Sequence, residues 1–196
     1  MLDRSALVRR LLGAATHLFI GDSDPVSVHC LACSAGEHAS FLASSTGNEP
    51  FNSHIMRAFP QRSIKNIRSL RNQYWVPIKH SNNIRKEPFM LPAAMEGFSD
   101  EVNDHTLFIT WYDFGIAGNP LPIEAQVFQI WYFAMYPDKL EKGEPDSVAS
   151  AIFGDIAQLK RRDQKFHLKR IVEKSSNDHE LLEHPKTDKR SLLLGS

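Results

Sequence analysis

The sequence predicts an all-α fold, a helical bundle of five to seven helices with a basic C-terminal extension. Apolar residues recur at helical spacing through most of the chain, and Pro, Gly and Ser residues that begin or end helices interrupt them. A length of 196 residues suits one domain. We place this domain at residues 1–174. Residues 175–196 are polar and lack periodicity, so we expect a disordered tail there.

The first two helices are predicted to form an antiparallel hairpin. Residues 3–20 carry one apolar face, and residues 21–24 form a short turn. The second helix, over residues 24–45, is the clearest in the chain. Asp24 can accept hydrogen bonds from the free amides of its first turn, and Pro25 suits the first helical position.

Two further helices are predicted before residue 80. A short one covers residues 51–59. Another begins after Ser63, which can cap it, and runs to about Trp75. Pro77 then bends or ends this helix, because proline inside a helix removes a hydrogen bond and clashes with the preceding turn.

The second half of the chain alternates loops and helices. Residues 80–98 have no clear period and are predicted to be a loop. Residues 99–113 are predicted to be helical, with a strand over residues 106–112 as the alternative, since β-branched and aromatic residues cluster there. Between Leu121 and Tyr136 the chain is apolar on several sides, which predicts a helix in the core or in a homodimer interface. A last helix is expected over residues 146–174.

Charge is unevenly distributed although the formal net charge is zero. Residues 61–90 contain seven Lys or Arg and one acid, residues 91–158 contain eleven acids and two Lys, and residues 159–196 contain ten Lys or Arg and six acids. Packing of basic against acidic elements is one interpretation. A nucleic-acid surface, with RNA as the partner, is the other.

Cysteine content and hydropathy bear on location. Two cysteines do not make a disulfide framework, so we expect a reducing, cytoplasmic compartment. No convincing secretory signal and no membrane-spanning apolar run are found. Cys30 and Cys33 lie within a helix and are interpreted as small core residues. A zinc site would need two more ligands, so neither a metal nor a cofactor is predicted.

The candidate site lies in residues 68–80, with Glu37 on the second helix as a third component. Arginine can bind a phosphate with two hydrogen bonds, and histidine can act as a general base on a ribose hydroxyl. The nine-residue step from Arg71 to His80 puts them on opposite faces of an ideal helix, so they meet only if the chain bends at Pro77. The alternative is a basic helix end, where cations are favoured. The basic and polar members are Arg68, Arg71, Asn72, Lys79 and His80.

Glu37 follows Cys33 by four residues and is therefore expected near the buried side of the second helix. A buried acid needs a partner, and a basic or histidine side chain from another helix is the natural one. The alternative is a solvated glutamate at the helix edge.

The stretch ACSAGEHASFL, the preceding GDSDP turn and the later Arg71-Asn72 and Lys79-His80 pairs resemble the HEPN superfamily. The resemblance implies a small helical bundle of bacterial stress or defence type, usually dimeric and often a metal-independent ribonuclease. It implies that Arg71 and His80 of two subunits share a cleft. There His80 would promote attack of a ribose 2′-hydroxyl, Arg71 would stabilise phosphate charge and Glu37 would orient one of them. Arg68, Asn72 and Lys79 would then contact the RNA.

A second resemblance implies no activity. The stretches DPVSVHCLACSA, IKHSNN and IEAQVFQIWYFAMYPD are similar to a group of uncharacterised bacterial proteins of similar size. The alternative functional hypothesis is a non-catalytic interaction module that dimerises, or binds a protein partner, through residues 121–136. Cleavage of RNA without metal would separate the two hypotheses.

Overall fold

The computed structural model describes residues 2–80, 93–139 and 144–193, and within them the predicted all-α fold is confirmed. Six of the described α-helices have ten residues or more, which lies within the predicted range of five to seven. Four shorter helices bring the described total to ten. None of the described helices is long and apolar enough to cross a lipid bilayer. The helices are α1 (Arg4–Ile20), α2 (Pro25–Ser45), α3 (Phe51–Ala58), α4 (Ile64–Arg71), α5 (Trp75–Lys79), α6 (Glu101–Ile116), α7 (Ile123–Met135), α8 (Glu144–Phe153), α9 (Arg161–Ser175) and α10 (His179–Glu183).

Helices α1 and α2 form the predicted hairpin. The Asp24 carboxylate accepts a hydrogen bond from the Ser27 backbone N–H at 2.7 Å, and Pro25 is the first residue of α2. The turn between the helices includes Asp22, whose φ of 52° lies in the left-handed region that aspartate tolerates better than most residues. The predicted roles of Asp24 and Pro25 at the start of α2 are therefore confirmed.

Helix α2 lies at the centre of the bundle and packs against both α1 and α6. Its buried face consists largely of alanines, including Ala32, Ala35 and Ala39, and their small side chains let the neighbouring helices approach closely. Helix α6 replaces the alternative strand over residues 106–112. It is joined to α1 by a buried hydrogen bond of 2.9 Å from Trp111 Nε1–H to Thr16 Oγ1.

Helix α7 is buried within its own chain. Phe128 and Trp131 are 0% exposed, and both rings pack edge-on against Phe19 of α1. The helix also contacts α6, α8 and α9. Most of the apolar surface between Leu121 and Tyr136 is thus used in the core of one chain.

The prediction of a single helix over residues 146–174 is wrong, because two α-helices cover this range. The chain leaves α8 through Gly154, whose φ of 55° is left-handed, and makes a short 3-10 turn before α9 begins at Arg161. This break allows Lys165 of α9, only 2% exposed, to pair with Asp22 at 3.1 Å and Asp100 at 2.6 Å. The apolar residues keep helical spacing on both sides of this break, so the sequence pattern does not reveal it.

Residues 176–193 of the C-terminal segment pack against the bundle, whereas the sequence predicts a disordered tail there. Leu121 and Thr187 form an isolated β-bridge, and Leu192 is buried. Arg9 of α1, 1% exposed, binds Asp188 at 2.7 Å and donates to the carbonyl groups of residues 190, 191 and 192. Contacts with residues 61 to 183 positions away hold this polar segment, and no local periodicity signals them.

Candidate functional site

A polar pocket of about 250 Å³ opens between α2, α4 and α6. Side chains from α2 and α6 form one part of its wall, and α4 with the neighbouring α3 residue Asn52 forms the other. The lining carries two guanidinium groups, one carboxylate and one thiol, so it is suited to a charged ligand. The lining residues are Cys33, Gly36, Glu37, Ser40, Asn52, Arg68, Arg71, Asn72, Thr106 and Thr110.

The local sequence explains how α4 and α5 reach this pocket. The Ser63 hydroxyl oxygen accepts a hydrogen bond from Asn66 N–H at 3.2 Å, so the predicted cap is confirmed. Helix α4 ends at Arg71, earlier than the predicted Trp75, and α5 begins at Trp75. Pro77 is the third residue of α5, where a backbone N–H would have no partner within the helix. The bend therefore precedes Pro77.

Arg71 is the central cation of the pocket. Its Nη1 donates a hydrogen bond of 2.7 Å to Asn52 Oδ1. Among the described residues no carboxylate oxygen lies within 4.0 Å of the guanidinium. Burial lowers the pKa of Arg71, and the more distant Asp113 carboxylate opposes that shift. The guanidinium is thus partly withdrawn from water without a carboxylate in contact.

Glu37 lies at the edge of the pocket rather than in the core. Its side chain is 46% exposed, and its oxygens accept hydrogen bonds of 2.9 Å from Lys79 Nζ and 3.0 Å from Trp75 Nε1. Burial opposes ionisation, but the bonds from Lys79 and Trp75 outweigh it and hold the pKa of Glu37 below its usual value. The basic partner expected from another helix is Lys79.

Most of the sequence-predicted site residues come together, and one does not. Glu37, Arg68, Arg71 and Asn72 all line the pocket, and Lys79 joins them through Glu37. His80, the residue that follows α5, is exposed and is not part of the lining. The convergence of Arg71 with His80 is therefore not found within one chain.

Sequence reasoning missed a buried polar cluster behind the pocket wall, formed by Cys33, His29 and Asn103. Cys33 Sγ lies 3.4 Å from His29 Nε2 and 3.9 Å from Nδ1, so the sulfur packs over the face of the imidazole ring. His29 Nδ1 lies 3.0 Å from Asn103 Oδ1. Asn103 uses its Nδ2 to donate to the Pro25 carbonyl at 2.9 Å, so its Oδ1 must face the histidine as an acceptor. His29 consequently carries its hydrogen on Nδ1.

Burial keeps both His29 and Cys33 neutral. It lowers the pKa of His29, which is 0% exposed, and raises that of Cys33 to about 12. The charge of Arg71, which lines the same pocket, opposes the shift at Cys33. The spacing of four residues between His29 and Cys33 could have revealed their contact. Asn103 is 74 positions from His29 and leaves no such signal.

The pocket holds no arrangement typical of a metal centre. Within residues 2–80, 93–139 and 144–193, no three His, Cys, Asp or Glu side chains are grouped as a metal ion would need. No protein-family model, curated protein or solved structure matches this chain. We therefore infer a function from the residues of the pocket.

Proposed function

We propose that this chain is a helical phosphate-binding protein and that the Arg71 pocket holds one phosphate group. The supporting observation is the partly buried guanidinium with no carboxylate in contact among the described residues. Withdrawing such a charge from water is unfavourable unless an anion or strong acceptors compensate it. Asn52 accepts from one nitrogen of Arg71, so other N–H groups remain for a ligand. Their planar fork fits two phosphate oxygens.

The surrounding side chains strengthen this proposal. Arg68 adds a second guanidinium to the lining, and Asn72 adds an amide. The one lining carboxylate, Glu37, is already bound to Lys79, which reduces its repulsion of an anion. A pocket of about 250 Å³ is large enough for a phosphate and a few attached atoms.

The phosphate can come from RNA or from a small phosphate ester. RNA is favoured by the exposed cations on and before α4, namely Arg62, Lys65 and Arg68, because residues 61–80 contain no acid. A nucleic-acid backbone would run along these cations and place one phosphate at Arg71. RNA is proposed as a bound ligand and not as a substrate, because His80 does not line the pocket.

Binding measurements with two ligands test the proposal. Labelled single-stranded RNA is followed by fluorescence anisotropy, and inorganic phosphate by calorimetry. Arg71→Gln should weaken binding of both by about tenfold or more, since it removes a charge-assisted hydrogen bond. Arg57→Gln is the matched control, because Arg57 pairs with Glu49 outside the pocket. If Arg71→Gln weakens the binding of phosphate but not the binding of RNA, the ligand is a small phosphate ester. Equal affinities for wild type and Arg71→Gln would refute the site.

The ribonuclease implied by the HEPN resemblance is tested in the same preparations. Labelled RNA is incubated with the protein in the presence of a metal chelator, and we expect binding without cleavage. If the RNA is cut, and both Arg71→Ala and His80→Ala abolish cutting, the protein is an enzyme and the binding-only proposal is wrong.

Homodimerisation and a cytoplasmic location are also proposed. Two free cysteines support a reducing compartment.

Because α7 packs mainly inside its own chain, a second copy would have to cover other apolar residues, and Val148 and Ile152 on α8 are 46% and 41% exposed. Sedimentation equilibrium should show a dimer that Val148→Lys dissociates. A monomer at all concentrations would rule out the dimer.

A further inference from the structure

We propose that the phosphate in the Arg71 pocket belongs to a nucleotide and that the base of this nucleotide stacks on the indole ring of Trp75. This inference rests on the proposed phosphate site, because Arg71 would hold the phosphate end of the same ligand. It adds a second contact, which selects nucleotides over phosphate esters that carry no base.

Trp75 differs from the other two tryptophans in its surroundings. Trp111 and Trp131 are 0% exposed, and each packs against a phenylalanine ring of the core. Trp75, the first residue of α5, is only half-buried. Within the described part of the chain, no aromatic ring packs against its indole. Part of a large apolar ring thus stays in contact with water, and a stacked base would cover it.

A hydrogen bond fixes this indole at the rim of the pocket. Trp75 Nε1–H donates to Glu37 Oε1 at 3.0 Å, and Glu37 is one of the lining residues. Lys79 Nζ donates to the same carboxylate at 2.9 Å and lies 5.7 Å from the centroid of the Trp75 ring. These contacts position the ring before a ligand arrives, which reduces the entropy lost on binding.

The guanidinium and the indole reach adjacent residues of α2. A Cβ at Gly36 would be 4.0 Å from Arg71 Nη2, and Trp75 bonds Glu37, the next residue along the helix. The anion site and the aromatic ring are therefore neighbours on one side of the pocket. In a nucleotide a single sugar joins the base to the phosphate, so one ligand can contact both groups.

The size and chemistry of the pocket fit such a ligand. A volume of about 250 Å³ accommodates a phosphate with its sugar, so the base would extend to the rim where Trp75 lies. The Ser40 hydroxyl and the Asn72 amide also line the pocket and can form hydrogen bonds with sugar hydroxyls. Because every base has an aromatic face, stacking on Trp75 should favour nucleotides in general and not one base.

Adenosine 5′-monophosphate and ribose 5-phosphate are the matched probes, since both carry the sugar phosphate and only the first has a base. Calorimetry with the full chain should show that the nucleotide binds about tenfold more tightly. Trp75→Leu should reduce this ratio to about one. Trp75→Phe should keep most of it, because it retains an aromatic face and loses only the bond to Glu37.

Phe166→Leu is the control for removal of an exposed aromatic ring. Phe166 is 56% exposed on α9 and does not line the pocket, so the ratio of the two affinities should keep its wild-type value. Equal affinities of the wild type for the two probes, or a preference for the nucleotide that survives in Trp75→Leu, would overturn the proposal.

Tryptophan fluorescence gives a second readout of the same contact. Trp111 and Trp131 are fully buried, so Trp75 is the indole that a ligand in this pocket can touch. The nucleotide should quench part of the emission, and ribose 5-phosphate should not. Trp75→Phe should bind the nucleotide without quenching. If Trp75→Leu does not fold, as judged by circular dichroism, the wild-type ratio and the quenching decide between stacking and no stacking.

Single-stranded RNA distinguishes the two sources of the nucleotide. If Trp75→Leu weakens the binding of RNA as well as of the mononucleotide, the base on Trp75 belongs to an RNA chain. If it weakens the binding of the mononucleotide alone, the ligand is a free nucleotide.

The phosphate site and the Trp75 contact can fail separately. Binding of inorganic phosphate that depends on Arg71, without a preference for the nucleotide over ribose 5-phosphate, would leave the phosphate site standing and refute stacking on Trp75. A preference for the nucleotide that depends on Trp75 but not on Arg71 would refute the phosphate site, and with it the two-point contact proposed here.

Discussion

Asp188→Asn tests the ion pair that holds the C-terminal segment against α1. Arg9 and Asp188 side chains are 1% and 4% exposed, so water screens their attraction little. Burial alone would raise the pKa of Asp188, but hydrogen bonds from Arg190 and Arg9 lower it from 3.8 to about 2. At about 1.4 kcal/mol per pKa unit, this difference corresponds to about 2.5 kcal/mol of stability at neutral pH.

Removing one partner of a buried ion pair commonly costs about 3–5 kcal/mol. We expect Asp188→Asn to lower the stability by less than this, about 2.5 kcal/mol, as the pKa difference indicates. The loss is smaller because Arg9 keeps the carbonyl oxygens of residues 190, 191 and 192 as acceptors. Urea denaturation at pH 7 measures the loss. Trypsin should also cut the variant faster at Lys186 and Lys189, since the segment can detach before the bundle unfolds.

The pH dependence gives a second measurement of the same pair. Asp188 has a lowered pKa in the folded state, so its contribution is complete above about pH 4 and disappears as the pH falls towards 2. The difference between wild type and Asp188→Asn should shrink over that interval. Arg190→Gln is the control: Arg190 is 58% exposed and should cost less than about 1 kcal/mol. A loss below about 0.5 kcal/mol for Asp188→Asn, or equal losses for both variants, would contradict this reasoning.

Two further substitutions test the packing of α1. Gly13→Ala should destabilise the protein by about 1–3 kcal/mol and expose the C-terminal segment to trypsin, because a Cβ at Gly13 would lie 2.2 Å from the Leu192 carbonyl oxygen. An unchanged digestion rate would show that the segment can move away freely. Thr16→Val should lower the free energy of unfolding in urea by about 1–3 kcal/mol, because the buried indole N–H of Trp111 loses its acceptor. A change within about 0.5 kcal/mol would mean that another acceptor replaces the hydroxyl.

Local signals predicted the helices well where a capping residue and an apolar face coincide. Asp24 with Pro25, and Ser63, marked two helix starts correctly because a cap is a contact within three residues. Gly154 was missed, since a single left-handed residue can separate two helices without disturbing the apolar pattern around it. The C-terminal segment was missed because its partners, such as Arg9, are distant in the sequence.

The candidate site was predicted in part for the same reason. Arg68, Arg71 and Asn72 lie within one short helix and its end, so their grouping could be seen in the sequence. Glu37 bonds the basic Lys79 of α5, but at the exposed edge of α2 that the sequence offered as the alternative. The place of His80 depended on where the chain bends. That bend comes before Pro77, since a proline in the first helical turn does not interrupt the helix.

The Arg9–Asp188 pair also affects how the chain folds during synthesis. Its partners are 179 residues apart. At about 5–20 residues per second, a ribosome needs about 10–35 s to make the intervening chain. Until then α1 can pair with α2 but must keep its Arg9 guanidinium hydrated. The buried face of the first helix is therefore completed only after the segment around Asp188 has been translated, and the nascent bundle stays open along that face until then.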